Sequence, residues 1–499
     1  MRMLSRREML IAGGSALVLV ACGSGTTSSG PGGRLVDAAD PSVERRDALR
    51  RKPGAATVVS TIIAAPVTVN IGGREVSTWA FGDRPGTGGI RAKVGDLIEA
   101  LFVNDLPSGN TLHWHGIALR NDMDGVHDLT QMLIEPSGKF TYRFTVPDAG
   151  TYWFHPHMGL ELDRGLYAPL VVEDPNDPVT ADVDVTLMLD DWLDGYGRTQ
   201  EDVLAELQSG GGHSGHMGSG GMGNMGSGGM GSMVGGLTGD VAYPLHVING
   251  RAPSERETIE AKPGQRVRIR LINAGSDTAY RVAIGGHRLT VTHADGFPVN
   301  PVEVDTVVLG MGERYDVIVT AGSGSFPIVA VPEGKSDPAG EAVLRTSSAA
   351  TAPTVGSRPA ELSGRELVYG DLVATDAVRL PSKNPDRSTT IRLTANGSGY
   401  VHGLDGKSFP DTAAITVAEG ERLRLRITNE TMMFHPVHLH GHTFQMVGDG
   451  TARKDTVNVL PMTTVEVDIA ADNPGQWMLH CHNTYHLETG MATVFSYRT

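Results

Sequence analysis

Three stretches of this chain repeat one pattern, a Gly beside an acidic or apolar residue, then alternating apolar residues, then Asn. No other feature limits the fold as much. The copies open at Val94-Gly95-Asp96, Pro263-Gly264-Gln265 and Glu419-Gly420-Glu421. Within them, Arg266 to Leu271 and Arg422 to Ile427 alternate charged and apolar side chains, the period of half-buried strands. Helical periodicity is scarce, and Gly and Pro turns occur throughout. Repeats at this spacing point to repeated domains, and 499 residues suffice for about three of ordinary size. We therefore expect an all-β chain of three β-sandwich domains, at 57–177, 178–350 and 360–499. The Ala, Ser, Thr and Pro run from Ser347 to Pro359 reads as the linker before the third.

The repeat carries histidines in register. From Gly95 to His113 and from Gly420 to His438 the interval is the same 18 residues, so the first and third copies superpose at an offset of 325. At that offset His113 meets His438, His115 meets His440, His155 meets His480 and His157 meets His482. The middle copy has Val282 and Ile284 instead, so it should keep the fold and lack the ligands. Alternate residues of a strand share a face, so each His-X-His pair presents two imidazoles together. Imidazole suits copper, and eight are too many for one ion. A cluster of three ions between domains one and three is the economical arrangement.

In His480-Cys481-His482 the cysteine must face away from its neighbours and so belongs to a second site. With His435, His486 and Met491 it completes two imidazoles, a thiolate and a thioether, the donor set of a blue-copper electron-transfer centre. The offset puts Asn110, Pro156, Glu161 and Leu166 at the matching positions of domain one, so only domain three should hold such a site. Electrons taken singly by the outer copper would pass through Cys481 to the cluster. Together the four coppers match the four electrons that convert dioxygen to water.

The stretches His-Trp-His-Gly at 113–116, His-Pro-His at 155–157, His-Pro-Val-His-Leu-His-Gly at 435–441 and His480 to Met491 resemble the four copper motifs of three-domain multicopper oxidases. The similarity extends over nearly all of 57–499, including Lys454-Asp455-Thr456-Val457 and Gly312-Glu313-Arg314-Tyr315-Asp316. In kind the chain looks most like the exported, lipid-anchored bacterial cuprous oxidases. The resemblance implies cupredoxin-like Greek-key domains and four copper ions. His113 and His438 would be type 2 ligands, and His115, His155, His157, His440, His480 and His482 type 3 ligands. His435, Cys481, His486 and Met491 would hold type 1. It also implies that Asp124 orients water and delivers protons, a turn residue before Gly125 being the plain alternative. Asp455 would sit beside the type 1 copper at the electron donor. Where such oxidases carry a proton-relaying glutamate after the last type 1 histidine, this chain has Leu487. Glu488 comes one position late, which should turn it elsewhere.

The N-terminus, Ser5-Arg6-Arg7-Glu8-Met9-Leu10 followed by a short apolar run ending Leu19-Val20-Ala21-Cys22, has the layout of an export signal. The run is shorter than the ~20 residues that span a bilayer. The paired arginines suggest the twin-arginine route, and the last four residues resemble a lipobox that would leave Cys22 acylated. Residues 1–22 would be the signal and 23–56 a tether to the membrane. Cys22 and Cys481 are the two cysteines, so no structural disulfide is expected. A net charge of −15 argues against nucleic acid. A monomer is expected.

Domain two carries a Met- and Gly-rich insert at 209–236. Its His213, His216, Met217, Met222, Met225, Met230 and Met233 offer soft donors suited to Cu(I), against a bland Gly-Ser insertion. The expected activity is Cu(I) oxidation coupled to dioxygen reduction, for copper detoxification. Laccase-like oxidation of phenols or aromatic amines, or oxidation of Fe(II) or Mn(II), is the alternative. A non-enzymatic copper binder would have lost ligands, and this chain keeps them all.

Overall fold

A computed structural model describes residues 33–210, 238–396 and 399–499. Cys22 and the insert residues His213 to Met233 lie outside them. The period-two stretches form strands. In Leu97–Asn104 the side chains of Ile98, Ala100 and Phe102 are buried while Glu99, Leu101 and Val103 between and beyond them are half-exposed. In Arg422–Asn429, Leu423, Leu425 and Ile427 do the same. Arg266–Asn273 departs from the expected half-burial, because Arg268 and Arg270 are also buried. They pair with Asp316, Asp177 and Asp184, which satisfies charges that a strand would otherwise turn to water.

The described strands form six sheets, two to each of three sandwiches. In each domain one sheet begins with a parallel pair: Thr57–Ile71 with Leu97–Asn104, Val183–Trp192 with Arg266–Asn273, and Arg387–Asn396 with Arg422–Asn429. The opposing sheets share one strand order. In domain three it runs Ile415–Val417, Ala492–Tyr497, Gln476–Cys481, His435–Leu439 and Thr456–Val459; in domain one it runs Ile90–Lys93, Ala168–Glu173, Gly150–His155 and His113–His115. Register is also shared. His113 pairs with His155, and His438 with His480, the same pair displaced by 325. The middle domain's equivalent strand, Tyr280–Ile284, buries Val282 and Ile284 in apolar core.

Domains one and three share a continuous apolar cluster running from Ile98, Phe102 and Trp114 to Val437, Leu479 and Phe495, while domain two has its own. The folded body starts before residue 57. Within the stretch expected as a tether, Pro41–Arg50 is a helix capped by Asp40, and buried Asp47 accepts the Thr145 N–H at 2.9 Å. At the other boundary Leu367 and Leu372 pack into the core of domain two, so residues just past 360 still belong to it in packing.

At the domain-one positions that match His435 and His486, Asn110 donates through Nδ2 to Glu161 Oε2 at 2.6 Å, and Ser108 donates to Oε1 at 2.8 Å. A hydrogen-bonded pair stands where domain three has its imidazoles. Burial raises the Glu161 carboxyl to about 7, the Ser108 hydrogen bond opposing it. Its stabilising contribution is therefore complete below the ordinary value of 4.5 and lost as pH rises through about 7. Glu161→Gln should flatten stability across this window, removing up to about 3 kcal/mol of pH dependence, read by denaturant unfolding at pH 4.5 and 8. An unchanged slope would show that Glu161 does not titrate there.

Candidate metal centre

Strand alternation turns His113 and His115 to one side of their sheet, and docking of domain three brings His438 and His440 against them. The rings stack in cross-domain pairs, His113 on His440 and His115 on His438, each with centroids 3.7 Å apart. Donor atoms gather into groups: His113, His115 and His438; His115, His155 and His482; and His157, His440 and His480. All eight residues are buried except half-buried His157.

One nitrogen of most rings is anchored by a hydrogen bond. His113 Nδ1 donates to the Asp124 carbonyl at 3.0 Å, His155 Nδ1 to the Pro156 carbonyl at 2.8 Å and His480 Nδ1 to the Cys481 carbonyl at 2.9 Å. Other ring nitrogens, Nε2 of His113, His155, His157 and His438, Nδ1 of His115 and both nitrogens of His482, are buried with no hydrogen-bond partner. His440 Nε2 and His480 Nε2 face each other at 3.0 Å. Orphaned nitrogens of this kind cost about 1–3 kcal/mol each unless something binds them, so the residues fit a metal cluster. Burial, with neighbouring imidazoles, holds His115, His155, His157, His440, His480 and His482 well below the ordinary histidine range. They stay neutral, the form that ligates.

Cys481 faces away from the cluster. Its Sγ lies 3.6 Å from Nδ1 of both His435 and His486, which are 3.1 Å from each other. Met491 is fully buried beside them, its carbonyl accepting the Cys481 N–H at 3.0 Å. These are the residues expected for the blue-copper donor set. Sequence reasoning missed Asp240. Its Oδ2 accepts from His486 Nε2 at 3.0 Å and from the Tyr400 hydroxyl at 2.7 Å, and nothing in its local sequence marks it.

Asp124 is fully buried. Its Oδ2 accepts from His440 Nδ1 at 2.9 Å, and its Oδ1 has no hydrogen-bond partner. Asp455, expected beside the type 1 site, lies instead at the histidine cluster, its Oδ1 accepting from His115 Nε2 at 3.1 Å. The reason is register. Thr456–Val459 runs antiparallel to His435–Leu439, with Val459 opposite His435 and Thr456 opposite His438, so Asp455 emerges at the cluster end. Glu488 also differs from expectation. It and Leu487 both line a cavity of about 460 Å³ that reaches His155, His157, His480 and His482, because Thr484–Glu488 is helical and swings successive residues around its axis.

Multicopper oxidase family profiles match residues 64–177, 184–349 and 379–499. The chain is 44% identical to the multicopper oxidase MmcO of Mycobacterium tuberculosis, over 99% of this chain and 97% of that protein. It is 26% identical to the copper resistance protein A homolog of Pseudomonas syringae, over 81% of this chain and 86% of that one. Among solved structures, the laccase from Botrytis aclada shares the fold with a TM-score of 0.75 at 24% identity, covering 89% of this chain and 88% of the other.

Cys481→Ser should remove the intense visible absorption of a copper–thiolate bond and lower the copper content by about one ion per chain, leaving the remaining copper in place. Absorption spectra and metal analysis check this. A retained blue band would break the assignment of Cys481.

Proposed function

The chain belongs to the multicopper oxidase family, and from that premise we propose that it oxidises Cu(I) one electron at a time and reduces dioxygen to water, detoxifying copper. His435, Cys481, His486 and Met491 would hold the type 1 ion, and His113 and His438 the type 2 ion. His115, His155 and His482 would hold one type 3 ion and His157, His440 and His480 the other, a division supported by how the donor atoms group. Bound copper supplies the one-electron chemistry and stores the four reducing equivalents. The chain supplies the rest. Cys481 is bonded directly to His480 and His482, a short covalent link between the two sites. Asp124, fully buried with Oδ2 accepting from His440 Nδ1 and Oδ1 3.2 Å from His113 Nδ1, would deliver protons beside the cluster. The cavity above His155 and His157 admits a molecule the size of dioxygen.

The observation that carries the choice of donor is Asp240. This carboxylate hydrogen-bonds the outer nitrogen of His486 and follows Met233 by only seven residues. A methionine- and histidine-rich stretch that favours Cu(I) therefore leads in sequence to an anionic group on the electron-accepting histidine. The same carboxylate would accept a phenol O–H, which makes laccase-like oxidation the second reading. The twin arginines and Leu19-Val20-Ala21-Cys22 support export, acylation at Cys22 and a site of action on the outer side of the cell membrane.

Deleting residues 213–233 should lower kcat/KM for Cu(I) roughly tenfold, a loss near 1.4 kcal/mol, and leave phenol oxidation within about twofold. Oxygen consumption with each donor is the measurement. Equal Cu(I) rates with and without the tract would remove its role. Asp240→Asn should lower turnover of Cu(I) by roughly tenfold, the worth of one charge-assisted contact; unchanged turnover would move the donor site elsewhere.

A further inference from the structure

Among the described residues the middle domain contributes no histidine to the cluster, yet its Arg314 reaches the cluster's edge. This guanidinium is fully buried. Its Nη1 and Nη2 donate to Oδ1 and Oδ2 of Asp455, each at 2.6 Å, and its Nε donates to the Thr151 carbonyl of domain one at 3.1 Å. Its backbone N–H donates to Asp295 Oδ1 at 2.9 Å. One side chain thus ties all three domains together. Bidentate pairing of this kind fixes a carboxylate in angle as well as position.

The carboxylate passes that order on. Asp455 Oδ1 accepts from His115 Nε2 at 3.1 Å and lies 3.3 Å from His438 Nδ1, which also donates to the Asp455 carbonyl at 3.0 Å. The nitrogens left over are His115 Nδ1 and His438 Nε2, both buried and unpartnered. The hydrogen bond on one ring nitrogen decides which other nitrogen can ligate, so Asp455 sets a Nδ1 ligand in one ring and a Nε2 ligand in the other. Asp455 is also held from behind. Asp295 Oδ2 accepts the N–H groups of Asp455 and Thr456 at 3.2 and 3.1 Å, and Lys454 Nζ reaches Asp295 at 3.0 Å and Glu313 at 3.1 Å.

Two glycines make room for the arrangement. At Gly116, with φ +87°, a side chain would run into Arg314 Nη2 and come within 2.7 Å of Asp455 Oδ2. At Gly312 it would meet His482 at 2.9 Å and His115 at 3.0 Å. A buried ion pair is weak evidence for stability, since apolar packing often does as well. Here its geometry ends on two ring nitrogens.

We infer that Arg314 is a positioning residue for the inter-domain copper cluster, acting through Asp455 to select the nitrogens that His115 and His438 present to metal. This rests on copper occupying that cluster. The test counts copper per chain and records the electron paramagnetic resonance spectrum of the full-length protein. Arg314→Lys keeps a charge and loses the fork. It should lower copper by about one ion per chain or visibly shift the type 2 hyperfine splitting, while the blue absorption band stays within about 10% of wild type. Adding Asp455→Asn should cost nothing more, because the two residues act in series. Thr456→Val removes a hydroxyl that donates to Asp455 Oδ1 at 2.9 Å and lies 3.2 Å from both His115 Nε2 and His438 Nδ1, the same two nitrogens that Asp455 engages. It should shift the same signal by less, which answers the question even if Arg314→Lys does not fold. Full copper with a wild-type type 2 spectrum in these variants overturns the inference, as does equal loss from the blue site and the cluster. A wild-type protein that holds no copper beyond the blue site would refute the underlying assignment instead.

Discussion

Imidazole nitrogens without hydrogen-bond partners, enclosed between two domains, are the constraint on which the rest of this structure depends. A protein interior tolerates few such atoms, since each buried polar group left unpaired costs about 1–3 kcal/mol. Here seven ring nitrogens of the cluster histidines are left so, and each belongs to a residue contributed by domain one or domain three. The continuous apolar core of those two domains holds the rings together against that cost. Metal binding relieves it, which couples occupancy of the cluster to the docking of domain one on domain three.

The duplication explains why two domains and not three build the cluster. The His113–His155 and His438–His480 cross-strand pairs occupy the same register in equivalent sheets, so one ancestral strand pairing serves both halves. Docking the copies face to face stacks each histidine on its counterpart's neighbour. In the middle copy Val282 and Ile284 complete an apolar core instead. That domain is freed from ligation, but it is not idle. Through residues 312–316 and the buried charges Arg314, Glu313 and Asp295 it closes the open side of the seam. A domain whose described residues supply no cluster histidine thereby gives polar support to the others.

Much of the fold and nearly all the donor residues were legible in the sequence, because both rest on local periodicity. Alternation at Leu423, Leu425 and Ile427 predicts a strand whatever packs on it, and His-X-His on a strand needs no tertiary knowledge to place two imidazoles on one face. Residues whose role depends on docking were not legible. Asp455 touches His115 from 340 positions away, and only the antiparallel register of Thr456–Val459 against His435–Leu439 decides which end of the strand it serves. Asp240 reaches His486 across 246 positions. Arg268 and Arg270 looked like the solvent face of a strand until Asp316, Asp177 and Asp184 met them at a domain boundary. The helix Pro41–Arg50 was hidden for a similar reason, since its place is set by Asp47 binding the Thr145 backbone.

The pleat of a single strand accounts for the connection between the two sites. Successive residues of Gln476–Cys481 point to opposite faces, so His480 enters the seam while Cys481 turns to His435 and His486. The separation of the sites is then set by covalent geometry and not by domain docking, and it survives small shifts between domains one and three. The equivalent strand in domain one ends at His155 and continues into Pro156, which has no side-chain donor, while the Asn110–Glu161 hydrogen bond fills the space of a second site. Among the described residues a thiol site forms at one end of the molecule, because of two otherwise matching strands only Gln476–Cys481 presents a thiol on its outer face.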